Sequence, residues 1–313
     1  MNKQSSLAAR ADTLRTIREF FYPRQVIEVE TPGLSQAANT DPYIESFAID
    51  TLSTPRYLHT SPEYPMKRLL AQGSGDIYQI CKVWRNEPAS QRHNPEFTLL
   101  EYYRCGFDEQ QLMHEVDELL LALLPALHRS SHFISYHQLF LDNCGINPHT
   151  SDIGAVDDCV ANYVPRFSGE LDRQGKLDLL LSHHIEMQLP GDRLTYVYDY
   201  PVTQSALAQT AYDSVSGSHV AKRFEVFCGA LELANGYREL TEASSNRAVL
   251  TSELAQRKAQ GLHEVPVDER FLAAIAQNLP DCAGIAIGID RVLMIRQQAK
   301  SIDDVINFCW QDA

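Results

Sequence analysis

Apolar and polar positions change period several times along this chain, and each change predicts an element. Between residues 5 and 22, Leu7, Leu14, Ile17, Phe20 and Phe21 recur at helical spacing, and Pro23 closes the run. VIEVETP alternates instead and predicts a short strand ending at Pro32, with further strand-like pieces near 45–50 and 56–58. The pair Ser61–Pro62 predicts a helix start, because Ser suits the cap and Pro the first turn; that helix continues through Met66 to Leu70. Strands over 76–84 and 97–105 flank a charged stretch, and a long helix follows from about 108 to 129.

Residues 130–193 are polar and predict mostly short helices, with loops at His149–Asp152 and Ser168–Arg173. Strands return near 194–199 and 223–235, followed by helices over 242–260 and near 268–278. AGIAIGID predicts a buried strand, and RVLMIRQQAK a closing helix. No internal repeat interrupts the series. Strands separated by helices without regular βαβ alternation predict an α+β fold with an antiparallel sheet.

Composition narrows the partners. The 313 residues are 44% apolar, enough for a substantial core, and carry 27 basic against 41 acidic side chains, a net charge of −14. Holding a nucleic-acid backbone needs a basic patch to neutralise phosphates, and no Lys/Arg block is present. Extensive RNA or DNA contact is not expected. Seven scattered cysteines without a CxxC pair predict reduced thiols and no zinc site. The start MNKQSSLAAR lacks an apolar signal core, and the longest apolar run, Leu119–Leu127, is too short to span a membrane and contains Pro125. A cytoplasmic protein is expected.

Three stretches carry candidate chemistry. In YQICKVWRNEPASQRHNPEF, Arg85 and Glu87 lie two apart at a strand end and project to one face, with Arg92, His93 and Asn94 in the loop and Phe97 opening the next strand. A guanidinium suits a phosphate, a carboxylate accepts from an exocyclic amine, and an aromatic ring can stack on a base. Taken residue by residue, a hairpin of solvated ion pairs explains the stretch as well. Gly288 and Arg291 sit where an apolar strand runs into a helix, a junction that admits an anion but is as often structural. Glu232, Asn235 and Glu239 offer oxygen ligands for magnesium or acceptors for an ammonium group, or else an edge strand and a turn at Asn235–Gly236.

Together, in this order, the stretches carry a resemblance. VIEVETPGL resembles the dimer-forming first motif of the class II aminoacyl-tRNA synthetases, WRNEPASQRHNPEFTLLEYY the second and GIAIGIDRVLM the third; SPEYPMKRLL and LELANGYREL are similar to lysyl-type segments. The resemblance covers about residues 10–300 and implies the α+β catalytic core of that family, an antiparallel sheet flanked by helices, in one domain over 1–313 that forms a homodimer. It implies ATP and Mg²⁺ as well. By position, Arg85 would hold the α-phosphate and Arg291 the γ-phosphate, both in catalytic roles. Asn86, Glu87 and Asn94 would meet the nucleotide, His93 the terminal phosphates, and Phe97 the adenine. Glu232 and Asn235 would position the metal, with Leu233 and Gly288 lining the floor. Glu63, Glu101, Tyr103, Asn235, Tyr237 and Glu239 would bind the amino acid, beside Ser61, Pro62 and Ala286. An acid-rich pocket suits a substrate with two amino groups, since each buried ammonium needs a partner.

Three departures from the lysyl pattern shift the expected acceptor. First-motif residues begin near residue 14, where lysyl-tRNA synthetases have already placed an anticodon-binding barrel, so no such domain is expected. Ser61 stands where lysyl enzymes usually have Ala, and Ala286 where they have Gly. One adds a hydroxyl and the other a methyl in the amino-acid pocket, and a methyl typically shifts discrimination by roughly 1–3 kcal/mol. This pattern resembles the stand-alone lysyl-type paralogues that modify translation elongation factor P. It implies ATP-dependent activation of (R)-β-lysine, or another lysine isomer, and transfer to a lysine ε-amine of that factor. Alternatives are a truncated paralogue that charges tRNA or makes a small amide, and a silent binding subunit, against which Arg85, Glu87, Glu232 and Arg291 speak.

Overall fold

A computed structural model describes residues 3–313 of the chain, with side chains from Ser6 onward; Met1 and Asn2 of the polar start lie outside the described residues. The first helix, α1 (Lys3–Phe21), ends where Pro23 enters a short 3₁₀ turn. It is followed by β1 (Ile27–Glu28), β2 (Leu34–Ser35), β3 (Ala48–Ile49), β4 (Arg56–Leu58) and α2 (Glu63–Ala71). VIEVETP thus contributes only two paired residues. Pro62, not Ser61, takes the N-cap position of α2, although Ser61 Oγ still accepts the Glu63 N–H at 3.0 Å.

The charged stretch joins β5 (Ile77–Trp84) to β6 (Glu96–Cys105), as predicted. Helix α3 (Glu109–Leu123) starts with a capping box between Asp108 and Gln111 and stops six residues short of the expected end, because Pro125 cannot continue it. The segment predicted as short helices contains α4 (Tyr136–Cys144), α5 (Ile153–Tyr163) and α6 (Arg173–Leu180), but it is preceded by a strand, β7 (His132–Ser135), that its polar sequence concealed. Next come β8 (Thr195–Pro201), β9 (Thr210–Asp213), β10 (Ser218–Cys228) and β11 (Leu231–Arg238). The single strand expected over 223–235 is therefore a hairpin, turned at Gly229 with φ +57°, a backbone conformation that glycine adopts without strain. Asn235–Gly236 is not a turn but the middle of β11. The chain closes with α7 (Ala243–Ala259), α8 (Glu269–Asn278), β12 (Cys282–Gly288) and α9 (Ile289–Gln297), as predicted.

The main sheet runs β1-β5-β6-β12-β11-β10-β8-β7, with β9 paired to β10. Its interior is antiparallel, while the outer pairs β1·β5 and β7·β8 are parallel. Alternation along the strands divides the apolar residues between two faces. Tyr78, Leu100, Tyr102, Tyr196, Val226 and Ile285 join the large core with residues of α1, α3 and α9. Their neighbours Ile77 and Tyr103 pack with residues of α2, α7 and α8, and Val197 and Phe227 with residues of α4, α5 and α6. The second face is covered at both ends and open between. Among the described residues no helix is long and apolar enough to cross a membrane, and all seven cysteines are free.

Candidate active site

The open part of that face holds a cavity of about 280 Å³. Phe97, Leu99, Glu101 and Tyr103 of β6 reach it at every second position, as do Gly284, Ala286 and Gly288 of β12. On β11, Glu232 and Asn235 reach it although they are three apart. The register explains this: Val226 pairs with Ala234 but Phe227 with Glu232, so Leu233 is the extra residue of a bulge that flips the alternation. Tyr237 and Glu239 continue on the corrected phase.

At one end lie the guanidiniums. Arg85 follows the end of β5, and its N–H donates to the Pro95 carbonyl across the mouth of the loop at 2.9 Å. Its Nε is buried without a partner, and its Cζ lies 5.1 Å from the Phe97 ring centroid. Burial pulls its pKa down, Glu87 and Glu232 hold it up, and the charge stays. An unpartnered buried N–H on a cation is a ready donor to an oxyanion. Arg291 donates to the Glu232 carbonyl at 2.9 Å and, through Nη2, to His93 Nε2 at 2.7 Å. Burial first, then Arg291, lowers the His93 pKa. A neutral His93 that accepts at Nε2 carries its proton on Nδ1, facing Ser90 Oγ at 3.1 Å.

The loop between β5 and β6 is pinned from far along the chain. Ile302 N–H donates to the Gln91 carbonyl at 2.8 Å, and Trp310 N–H to Asn94 Oδ1 at 2.9 Å. Asn94 also donates to the Glu96 carbonyl at 2.6 Å, so its side chain is spent inside the fold and any ligand contact there falls to the main chain. Asn86 lines an adjoining pocket with Gly261–His263 instead of the main cavity, and Pro62 stays behind it in the helix cap.

At the other end three carboxylates converge. Glu101 accepts from Ser61 Oγ at 2.6 Å and from Tyr103 Oη at 2.7 Å. Burial, and then the charge of Glu63, push its pKa up to about 8. Glu239, also buried, is pushed up to about 7. Between Glu63 and Glu239 sits Lys67, with its Nζ 2.6 Å from each. Gly284 makes the closeness possible: a Cβ there would stand 2.3 Å from the Tyr103 ring and 2.6 Å from Glu239 Oε1. Ala286 faces the cavity in register with Glu101 on one side and Asn235 on the other. Gly288 leaves room over Leu233, with no contact below 3.8 Å for an added methyl.

Sequence reasoning missed Lys67, although its i+4 spacing from Glu63 on a predicted helix was a usable signal. It also missed Arg223 and Glu225, two apart on one face of β10. Arg85 and Glu87, expected to share a strand face, instead lie beyond the end of β5, where the Glu87 N–H turns back to the Arg85 carbonyl at 2.9 Å. Arg223 pairs with Glu225 and donates to Asn235 Oδ1 at 3.2 Å, while Glu225 accepts from Tyr200 Oη at 2.7 Å. A further wall, the loop bearing Asn39 and Ile44, has no periodic signature. Arg257 of α7 holds it through Glu45 and the Asp41 carbonyl, a tertiary tie over more than two hundred residues.

Comparison with known proteins shows the family of the chain. The family model described as tRNA synthetases class II (D, K and N) matches residues 1–311. The elongation factor P–(R)-β-lysine ligase of Pectobacterium atrosepticum is 40% identical over 317 residues, covering 97% of this chain and 94% of that protein. Its counterpart from Sodalis glossinidius is 41% identical, covering 99% and 96%. That from Pseudoalteromonas translucida is 41% identical, covering 97% and 95%.

Proposed function

This chain belongs to the class II tRNA synthetases of the D, K and N group, and we propose that it activates (R)-β-lysine with ATP and transfers it to translation elongation factor P. The observation that carries the reading is the polarity of the cavity: guanidiniums at one end and carboxylates at the other, as a triphosphate and a diamino acid require. The substrate carboxylate lies between them. It attacks the α-phosphorus, a C–O–P bond forms, and the bond to pyrophosphate breaks. A lysine ε-amine of the acceptor then attacks the acyl carbon and AMP leaves.

In this reading Arg85, with its unpartnered Nε, neutralises charge on the α-phosphate, and Arg291 holds the terminal phosphates with neutral His93 beside it. Phe97 stacks on adenine and Glu87 accepts from its amine. Asn86 and Asn94 contribute through the backbone of their loop. Positioning and charge neutralisation do the catalysis, with no covalent enzyme intermediate.

Magnesium fits as an ion that arrives with the triphosphate. Glu232, 40% exposed, and Asn235 offer hard oxygen donors at the cavity, and the remaining ligands would come from phosphate and water. Glu232 and Asn235, with Glu225 beside them, would hold it, and it would supply charge neutralisation to the pyrophosphate.

A single catalytic domain over 1–313, a cytoplasmic place of action beside the translation machinery and a homodimer complete the proposal. Tyr22 and Ile27, exposed beside and in the first-motif segment, support the last of these. Mass spectrometry of elongation factor P incubated with the enzyme, ATP and (R)-β-lysine tests the transfer. One added lysyl mass on a lysine of the factor is expected. Efficient charging of tRNA with the factor left unmodified would contradict it.

A further inference from the structure

Lys67 takes no part in the chemistry above, yet it sits at the base of the amino-acid pocket with its side chain 0% exposed. Burial alone drives a lysine towards its neutral form; here Glu239 and Glu63 more than reverse that and hold the ammonium charged. Lys67 Nζ donates to Oε1 of Glu63 and lies 2.6 Å from Oε2 of Glu239, an ion pair without hydrogen-bond geometry. The other oxygen of each carboxylate has no hydrogen bond among the described residues. The third carboxylate, Glu101, is met only by two hydroxyls, from Ser61 and Tyr103. With every carboxylate ionised, three anions against one cation leave two negative charges.

Glu253 of α7 also acts on Glu63, but burial pushes its carboxyl up to about 7 and Thr40 donates to it, so it stands apart from the three. The remaining groups are neutral or paired. Burial pushes the Tyr64, Tyr103 and Tyr237 hydroxyls and the Cys282 thiol upward, and the nearby Arg223 is matched by Glu225. In a buried pocket an unmatched charge is far more costly than in water.

We propose that Lys67 is a specificity-determining residue: by cancelling one of three carboxylates it matches the pocket to a substrate bearing two ammonium groups. By holding one oxygen each of Glu63 and Glu239, it also aims their free oxygens at that substrate. Lys67 is a positioning residue in this respect, and acts on the substrate through the two glutamates. The inference rests on the reading of this pocket as the lysine-isomer site.

The test compares KM and kcat for (R)-β-lysine in ATP–pyrophosphate exchange for the unaltered chain, Glu239→Gln, Lys67→Met and the double variant. Glu239→Gln leaves one negative charge for two ammonium groups, and Lys67→Met leaves three. Each raises KM by about tenfold or more. The double variant restores two, and its KM falls at least about tenfold below that of Glu239→Gln, with kcat changing less. Thermal melting and the KM for ATP report on the integrity of the fold. If Lys67→Met alone does not fold, Glu239→Gln against the double variant still decides. A double variant no better than Glu239→Gln overturns the proposal and leaves Lys67 a packing element. Absence of exchange with every lysine isomer in the unaltered chain overturns the functional reading, and the proposal with it.

Discussion

The two ends of the cavity solve opposite problems with the same strands. At the nucleotide end the charged groups are held with bonding capacity unspent: Arg85 Nε has no partner, and Glu232 is 40% exposed. At the amino-acid end the carboxylates already have partners within the chain, Lys67 between Glu63 and Glu239 and two hydroxyls on Glu101, and only the charge that Lys67 does not cancel is left for the substrate. A triphosphate is large and anionic whatever its base, so donors in reserve suffice. Discriminating among small diamino acids needs a closed pocket with a fixed charge count.

The sharpest way to break this contrast is at the open end. Arg85→Ala removes the unpartnered donor and should lower kcat for exchange by roughly 10²–10³-fold with the fold intact. Unchanged exchange would remove Arg85 from the phosphate site. At the closed end, Gly284→Ala pushes a methyl against Tyr103 and Glu239. It should raise the KM for the amino acid by roughly thirtyfold, leave that for ATP nearly unchanged, and cost about 1–3 kcal/mol in thermal unfolding. An equal rise in both KM values would mean the two ends are not independent.

Smaller effects sharpen the account. Ala286→Gly removes the methyl that faces the pocket between Glu101 and Asn235, and should improve α-lysine relative to (R)-β-lysine by about tenfold in kcat/KM. The pH dependence is milder. Glu101, raised to about 8, and Glu239, raised to about 7, hold protons in the empty pocket that two ammonium groups displace. The KM for the amino acid should therefore fall about fivefold from about pH 7 to about pH 8, and Glu101→Gln should flatten that slope. Stability runs the other way. These carboxyls bind protons in the fold that the unfolded chain has released above its ordinary value of 4.5, so their contribution declines as pH rises towards 8.

What could be read from the sequence divides along the same line. The open end is built from contiguous residues, Arg85 to Phe97 and Gly288 to Arg291, whose chemistry is visible at short range. There the structure adds detail: the Asn94 side chain is bound by Trp310 and Glu96, and Asn86 faces another pocket. The closed end depends on strand register. Tyr103, Gly284 and Tyr237 meet there across β6, β12 and β11, and the bulge at Leu233, which also brings Glu232 of the open end to the cavity, leaves no mark in an alternation pattern; the same region concealed the hairpin at Gly229. Lys67 was passed over because a lysine on an amphipathic helix ordinarily faces water; only the convergence of α2, β6, β11 and β12 buries it.

The central claim is that this cavity joins ATP to a diamino acid whose amine sits one carbon beyond the α-position. Amino-acid-dependent ATP–pyrophosphate exchange, run with (R)-β-lysine, its mirror image and α-lysine, tests it most directly. The account predicts exchange with all lysine isomers that can place two ammonium groups in the pocket, and the highest kcat/KM with (R)-β-lysine. Exchange driven best by a monoamino acid, or by none, would contradict it.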